Sequence, residues 1–212
     1  MQMRMVAGSV LALLTGAATP MAAQGTVRSN TTGVFIGFDL NGASIDVNDP
    51  VYEIEESGGG ATFRLGYGFT PLFSLHIGGT GTNLEVDGES VTMGHGDIMA
   101  RFSFGNVTQA FRPYLELGFA HRTLTIDDFV AEDDQGASLI GELEVSGGAL
   151  AFGGGFHYFF NPKWALNVGL NIATGEFNTV RFDNVSISDV VEVDGTTARL
   201  NVGITWFPMS PR

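Results

Sequence analysis

The chain has 212 residues, which is enough for one domain and leaves little room for a second. Its 23 acidic and 10 basic residues give a formal net charge of −13, so no basic surface exists to neutralise phosphates, which excludes nucleic acid binding. The absence of cysteine excludes disulfides and thiolate metal sites.

Residues 1–23 are predicted to be a secretory signal peptide. Arg4 supplies a positive charge, residues 6–14 form a short apolar run, and small residues follow at positions 17–23. That run is too short for a membrane helix, and no later stretch has the roughly 20 apolar residues that such a helix needs. We therefore expect an exported protein whose domain, residues 24–212, can enter a membrane only as a closed barrel.

From residue 33 onward, apolar residues alternate with polar or small ones, which is typical of β-strands. Eight segments show this period of two. In chain order they are residues 34–41, 62–69, 73–78, 97–104, 114–119, 150–158, 164–172 and 199–206.

The segments between the predicted strands alternate between short and long. Short turns are predicted at residues 70–72, 106–110 and 161–163. Long, acidic, Gly- and Asp-rich loops are predicted at residues 46–57, 85–90, 127–141 and 178–195. This rhythm predicts an eight-stranded antiparallel up-and-down β-barrel with both chain ends on the side of the short turns.

Alternation alone leaves open a soluble barrel with an apolar interior and a membrane barrel with a polar one. The polar face consists mainly of Gly, Ala, Ser, Thr and Asn, and Lys163 is the one lysine in the chain. A solvated surface would carry many Lys and Glu residues, whereas small residues suit the crowded lumen of an eight-stranded barrel. We therefore expect a transmembrane barrel.

Charged residues on the polar face also form a matched set. Three arginines and three carboxylates are predicted to form a lumen charge network: Asp39, Arg64, Asp97, Arg101, Glu116 and Arg199. Buried charges are costly unless they are paired, so equal numbers favour a closed interior. Arg122, near one rim, is a further candidate for this network.

Aromatic residues of the apolar face collect near the short turns and the C-terminus. The predicted girdle consists of Phe69, Phe73, Phe104, Phe111, Phe160, Trp164 and Trp206. Aromatic rings favour the boundary between membrane and water, and a soluble core gives no reason to gather them at one level.

Three segments resemble outer-membrane β-barrel proteins related to the transmembrane domain of outer-membrane protein A and to outer membrane proteins X and W. Residues 64–71 and 159–166 resemble the family's strand–turn–strand segments, and residues 200–207 resemble its aromatic closing strand. Here the outward aromatic is Trp206, and Phe207 is out of phase. The resemblance implies a location in the bacterial outer membrane among its lipids and lipopolysaccharide, and recognition of the closing strand by the barrel assembly machinery.

Several functions remain open, because a fold does not determine function. The leading hypothesis is a non-enzymatic barrel with acidic extracellular loops and a structural or surface-interaction role. The resemblance to outer membrane protein W implies an alternative, a narrow porin-like channel for small or apolar molecules. Glycines on the inward face would leave that lumen room for water.

Enzymatic modification of lipid A is a third hypothesis, with His76, His95, His121 and His157 as candidate bases. His95 and His121 are expected to approach each other near the outer rim. No nucleophile–base–acid spacing is evident, so no catalytic residue, metal site or cofactor is predicted.

Acidic clusters in the predicted loops are candidates for binding divalent cations that bridge to lipopolysaccharide. They are Asp127-Asp128 and Glu132-Asp133-Asp134. The alternative is that these carboxylates are simply solvated.

Overall fold

The computed structural model describes residues 28–29, 31–48, 53–86, 89–132, 138–182 and 185–209. The predicted signal peptide, residues 1–23, lies outside the described residues. The strands are β1 (Gly33–Asn48), β2 (Glu53–Gly68), β3 (Phe73–Val86), β4 (Glu89–Ser103), β5 (Phe111–Glu132), β6 (Ser138–Asn161), β7 (Trp164–Phe182) and β8 (Val185–Trp206). Among the described residues, no helix is long and apolar enough to cross a membrane.

Each strand pairs antiparallel with the next along the chain, and β1 pairs with β8 to close the sheet. When the backbone partners are followed once around the barrel from Phe35, the path returns to β1 at Ile45, ten residues further along. Such a stagger makes the strands tilt, typically by about 35–45° from the barrel axis. The predicted fold class, an eight-stranded antiparallel up-and-down barrel, is confirmed.

At one end of the barrel, short turns join the strands at residues 69–72, 104–110 and 162–163, close to the predicted positions. We call this the short-turn end and the opposite end the hairpin end.

At the hairpin end the predicted long loops are wrong, because the strands continue through most of them. β1 and β2 remain paired as far as Asn48 and Glu53, and β7 and β8 as far as Phe182 and Val185. The predicted loops at residues 85–90 and 127–141 are likewise largely strand, up to Val86 and Glu89 and up to Glu132 and Ser138. This end is rich in Gly, Asp and Ser, which favour turns and loops, although the backbone ladder continues.

Between the short turns and the middle of the barrel, apolar side chains point outward and polar side chains point inward. Two neighbours on β1 illustrate the contrast, since Phe38 is 57% exposed and Asp39 is fully buried. The same arrangement holds on β5, where Leu115 and Leu117 face outward and Glu116 faces inward. This part of the barrel has the inverted polarity of a membrane barrel.

Towards the hairpin end the polarity reverses, and apolar side chains fill the interior. We call these residues the outer cluster: Ala43, Ile45, Leu84, Val91, Met93 and Phe177. Leu124, Ile126, Val145 and Val193 pack against it. On the outer face at this level, Asp46, Thr92, Glu176 and Asp194 are exposed.

The seven predicted girdle aromatics all lie at the short-turn end. Six are exposed, and Phe73 is partly covered. The rings of Trp164 and Trp206 stack with centroids 5.8 Å apart, and those of Phe69 and Phe73 stack at 5.9 Å. Phe73 also contacts Phe102, at 5.2 Å.

Candidate functional site

All six predicted network residues lie inside the barrel and are buried. β1 and β2 place Asp39 beside Arg64, and the two side chains form an ion pair. Asp39 also accepts a hydrogen bond of 2.9 Å from the side-chain amide of Asn167, on β7. One carboxylate therefore joins three strands across the lumen.

Arg101 and Glu116 form the second pair, on adjacent strands β4 and β5. Arg101 Nη2 donates to Glu116 Oε1 at 3.2 Å, and Nη1 donates to Nε2 of His157 at 3.1 Å. His76 Nε2 lies 3.2 Å from the other carboxylate oxygen of Glu116. The Arg101–Glu116 pair is thus enclosed by two histidines.

Tyr114 connects these two pairs. The Arg101 guanidinium lies over its ring, 4.1 Å from the centroid, and its hydroxyl donates to Asn167 Oδ1 at 2.8 Å. The hydroxyl lies beside Gly169, where a Cβ atom would be 2.4 Å from it. A side chain at that position would displace the hydroxyl, so the glycine leaves room for this bridge.

The third pair, Arg199 and Asp97, lies nearer the hairpin end and is bidentate. Arg199 Nη1 and Nη2 donate to the two carboxylate oxygens of Asp97 at 2.8 and 2.9 Å. Paired N–H···O bonds of this kind are among the stronger charge-assisted hydrogen bonds. Arg199 Nη1 also donates to Thr80, whose hydroxyl lies 3.0 Å from that of Thr62.

Side-chain amides extend this third pair across the lumen. Thr62 donates to Asn201 at 3.0 Å, and Asn201 donates to Asn171 at the same distance. Asn41 donates to Thr62 at 3.1 Å and accepts from Thr82 at 2.9 Å. The hydrogen-bonded layer therefore obstructs the middle of the lumen with buried side chains.

Aromatic rings close the lumen towards the short turns. Phe35, Phe159 and Phe207 are buried together with Ala165. The Phe207 ring lies 5.6 Å from that of Phe35 and 5.3 Å from that of Phe159. Phe207, out of phase with the outward aromatics, thus points inward. The polar layers of the lumen lie between this aromatic cluster and the outer cluster.

Two further arginines, Arg112 and Arg122, are fully buried in the lumen, and only Arg122 was a candidate from the sequence. Among the described residues neither pairs with a carboxylate, and both donate to backbone carbonyls instead. Arg122 donates to Gly195 and Gly175, both at 2.7 Å, and lies over the Phe177 ring at 4.4 Å. Arg112 lies two residues before the inward-facing Tyr114 on β5, so the period of two was the sequence signal that could have placed its side chain inside the barrel.

The histidines do not assemble into a catalytic group. The expected approach of His95 and His121 is wrong, because His95 points into the lumen and His121 is exposed on the outer face. His95 Nε2 lies 3.0 Å from the Thr197 hydroxyl, and His157 Nε2 lies 3.4 Å from that of Thr205. Both Nδ1 atoms lack a hydrogen-bond partner, so neither histidine has the orienting third group of a triad.

Within the described residues, no group of three or more His, Asp or Glu side chains is placed to hold a metal ion. The acidic clusters at Asp127-Asp128 and Glu132 to Asp134 lie outside the residues whose side chains the structure describes.

Several solved structures share this architecture. Neisserial surface protein A superimposes with a TM-score of 0.56 at 15% identity, covering 82% of this chain and 98% of that one. Outer membrane protein OprG of Pseudomonas aeruginosa gives 0.55 at 14% identity, covering 85% and 98%. Outer membrane protein AlkL, determined by solid-state NMR in DMPC bilayers, gives 0.55 at 16% identity, covering 92% and 97%. At these identities the likeness shows the fold alone.

The family model for the outer membrane protein beta-barrel domain matches residues 9–205, which is most of the chain. No curated protein matches the sequence. The closed eight-stranded topology, the apolar belt and the polar lumen agree with this match. The chain belongs to the outer membrane protein beta-barrel domain family and is a protein of the bacterial outer membrane.

Proposed function

We propose that this protein is a non-enzymatic, non-conducting barrel that acts through its extracellular end, in a structural or surface-interaction role. The observation that carries the proposal is the filled lumen. The three ion pairs and their amide network lie between the aromatic cluster and the outer cluster, and all three arginines are buried. An eight-stranded barrel has an interior just wide enough for its own side chains.

The distribution of charge supports a role at the extracellular end. Short turns face the periplasm in this architecture, so the hairpin end faces outward. Apart from Asp39, Asp97 and Glu116, all 20 other acidic residues fall in the sequence ranges 46–56, 85–89, 127–144 and 176–194. Those whose side chains the structure describes lie at the hairpin end: Asp46, Glu56, Glu142, Glu144, Glu176 and Asp194. Among the described side chains, Arg181 is the one lysine or arginine on the outer face of that end, and it lies 3.6 Å from Glu144.

An acidic rim of this kind suits cationic ligands, including divalent ions that bridge to the phosphates of lipopolysaccharide. To test this role, purified protein in lipopolysaccharide-containing vesicles would be compared with and without Mg²⁺. We expect Mg²⁺ to raise the association of lipopolysaccharide with the barrel and EDTA to remove it. The triple variant Glu142→Gln, Glu176→Gln, Asp194→Asn should weaken this dependence. An association independent of both Mg²⁺ and these carboxylates contradicts the role of the rim.

Planar-bilayer conductance tests the closed lumen. We expect the wild-type protein to show no stepwise current and Arg101→Ala to show brief openings, because that change removes the centre of one charged layer. Arg181→Ala, which deletes a guanidinium at the extracellular end, is the matched control and should remain silent. Regular conductance steps from the wild-type protein would reject the proposal and favour the narrow channel.

A further inference from the structure

Residues 28–29 and 31–32, just before β1, lie across the periplasmic mouth of the barrel and bind two of its turns. The backbone N–H and the hydroxyl of Ser29 both donate to the carbonyl of Val107, in the β4–β5 turn, at 2.7 and 3.2 Å. The Thr31 hydroxyl donates to the carbonyl of Pro71, in the β2–β3 turn, at 3.0 Å. Both side chains are buried, so the segment is part of the closed end.

Two glycines allow this path. Gly33 has a φ of +93°, a backbone conformation that turns the chain and that other residues rarely adopt. At Gly68, a Cβ atom would lie 1.8 Å from the carbonyl oxygen of Thr31. The end of β2 therefore leaves room for the crossing segment only because its last residue has no side chain.

Arg112 joins the crossing segment to the barrel. Its guanidinium is fully buried and donates to the carbonyl of Ser29 at 3.3 Å and to that of Pro71 at 2.5 Å. Within the part of the chain that the structure describes, no carboxylate pairs with it. A buried charge without a counter-ion is costly, and here its compensation comes from backbone carbonyls of the segment and of the turn to which that segment binds.

We propose that Ser29 and Thr31 form a latch that closes the periplasmic mouth, and that Arg112 holds the latch shut. The latch lies outside the eight strands, so it can open without breaking the barrel's backbone ladder. Opening exposes the aromatic cluster of Phe35, Phe159 and Phe207 to the periplasm. The inference goes beyond the proposed closed lumen, because it assigns a movable closure to one end only.

Thiol labelling tests the latch directly, because the sequence contains no cysteine. Ser29→Cys places a thiol at a fully buried site, and Thr108→Cys places one at an exposed site of the neighbouring turn. A polar maleimide would be added to the folded, full-length protein in detergent. We expect the thiol at position 29 to react at least about tenfold more slowly than the thiol at position 108, because reaction requires local opening.

Arg112→Ala should abolish most of this protection and raise the reaction rate at position 29 about tenfold, because two charge-assisted hydrogen bonds are lost. Arg28→Ala is the matched control, since it removes an exposed guanidinium one residue away and should leave labelling slow. Gly68→Ala displaces Thr31 without changing charge and should also raise the rate. A difference in gel migration between heated and unheated samples shows that each variant is folded.

Equal reaction rates at positions 29 and 108 in an otherwise wild-type chain would overturn the latch. If Arg112→Ala does not fold, Arg112→Lys and Gly68→Ala decide the question, and slow labelling in both also overturns it. Conductance separates this proposal from the closed lumen. If the thiol at position 29 reacts fast and the wild-type protein shows no current in a planar bilayer, only the latch is rejected. If that thiol reacts slowly and the wild-type protein shows regular current steps, only the closed lumen is rejected.

Discussion

The same strands point their apolar side chains outward in the membrane and inward outside it. On β1, Phe38 and Leu40 face outward and Asp39 faces inward, whereas further along the strand Ile45 is buried and Asp46 is exposed. The outer part of the barrel thus resembles a soluble β-barrel stacked on a membrane barrel. The period of two is continuous through both parts, but the face that carries the apolar residues changes.

This contrast teaches that the surrounding solvent decides which face of the sheet is apolar. In the bilayer, the exterior meets hydrocarbon and the interior must satisfy its polar groups internally. Above the bilayer, the exterior meets water, and the strands gain stability by burying Met93, Leu84 and Phe177 against one another. Stability therefore depends on buried charge pairing in one part and on apolar packing in the other.

The largest effect is expected when an ion pair of the membrane part loses one partner. Asp97→Ala leaves Arg199 buried without a counter-ion, and we expect the free energy of unfolding to fall by about 3–5 kcal/mol. Urea-induced unfolding of the refolded protein in lipid vesicles measures the change.

Removing both charges of that pair distinguishes the cost of an unpaired buried charge from the cost of lost packing. The double variant Asp97→Leu, Arg199→Met should recover most of the lost stability, because no isolated charge remains. If it is as unstable as Asp97→Ala, the cost arises from lost volume and hydrogen bonds rather than from the unpaired arginine.

A comparable loss is expected from a cavity in the outer cluster. Met93 is fully buried there, and Met93→Ala should lower the free energy of unfolding by about 2–5 kcal/mol. The neighbouring Thr92 is exposed on the other face of the same strand, so Thr92→Ala should change stability by less than about 0.5 kcal/mol. Equal effects at the two positions in urea unfolding would show that this part has no packed interior.

Arginine substitution on the outer face should distinguish the lipid-facing part of the barrel from the water-facing part. Leu115 is the middle of five outward apolar residues on β5, from Phe111 to Phe119, and Leu115→Arg should destabilise the barrel by about 2–4 kcal/mol in vesicles. Thr92→Arg, also outward but at the hairpin end, should change stability by less than about 0.5 kcal/mol. The prediction fails if both substitutions cost the same.

The smallest effect is expected at the ion pair of the hairpin end. Glu144 and Arg181 are 3.6 Å apart and the arginine is about half exposed, so solvent screens their attraction. Glu144→Gln should lower the free energy of unfolding by about 0.2–1 kcal/mol, and the difference should shrink as salt is raised. A loss of several kcal/mol that does not depend on salt would contradict this assignment.

Much of the membrane part was predictable, since the alternation around Phe38, Leu115 and Trp206 reflects contact with lipid along the membrane part of each strand. The turns around Pro71 and Pro162 were predictable as well. The hairpin-end strands were not, because Gly, Asp and Ser residues in water suggest loops whether or not their backbones pair. Arg112 was missed because a lone arginine beside a turn usually lies at the surface, and its contacts with Ser29 and Pro71 form only in the folded chain.

By itself, the sequence determined the strand number, the barrel architecture and the inward register of Asp39, Arg64, Asp97, Arg101, Glu116 and Arg199, because period-two patterning depends only on local chain geometry. Only the tertiary structure decided which arginine pairs with which carboxylate, that Tyr114 bridges two of the pairs, and that the polarity reverses towards the hairpin end. These features depend on the stagger between strands distant in sequence and on closure of β1 against β8, which no local pattern encodes.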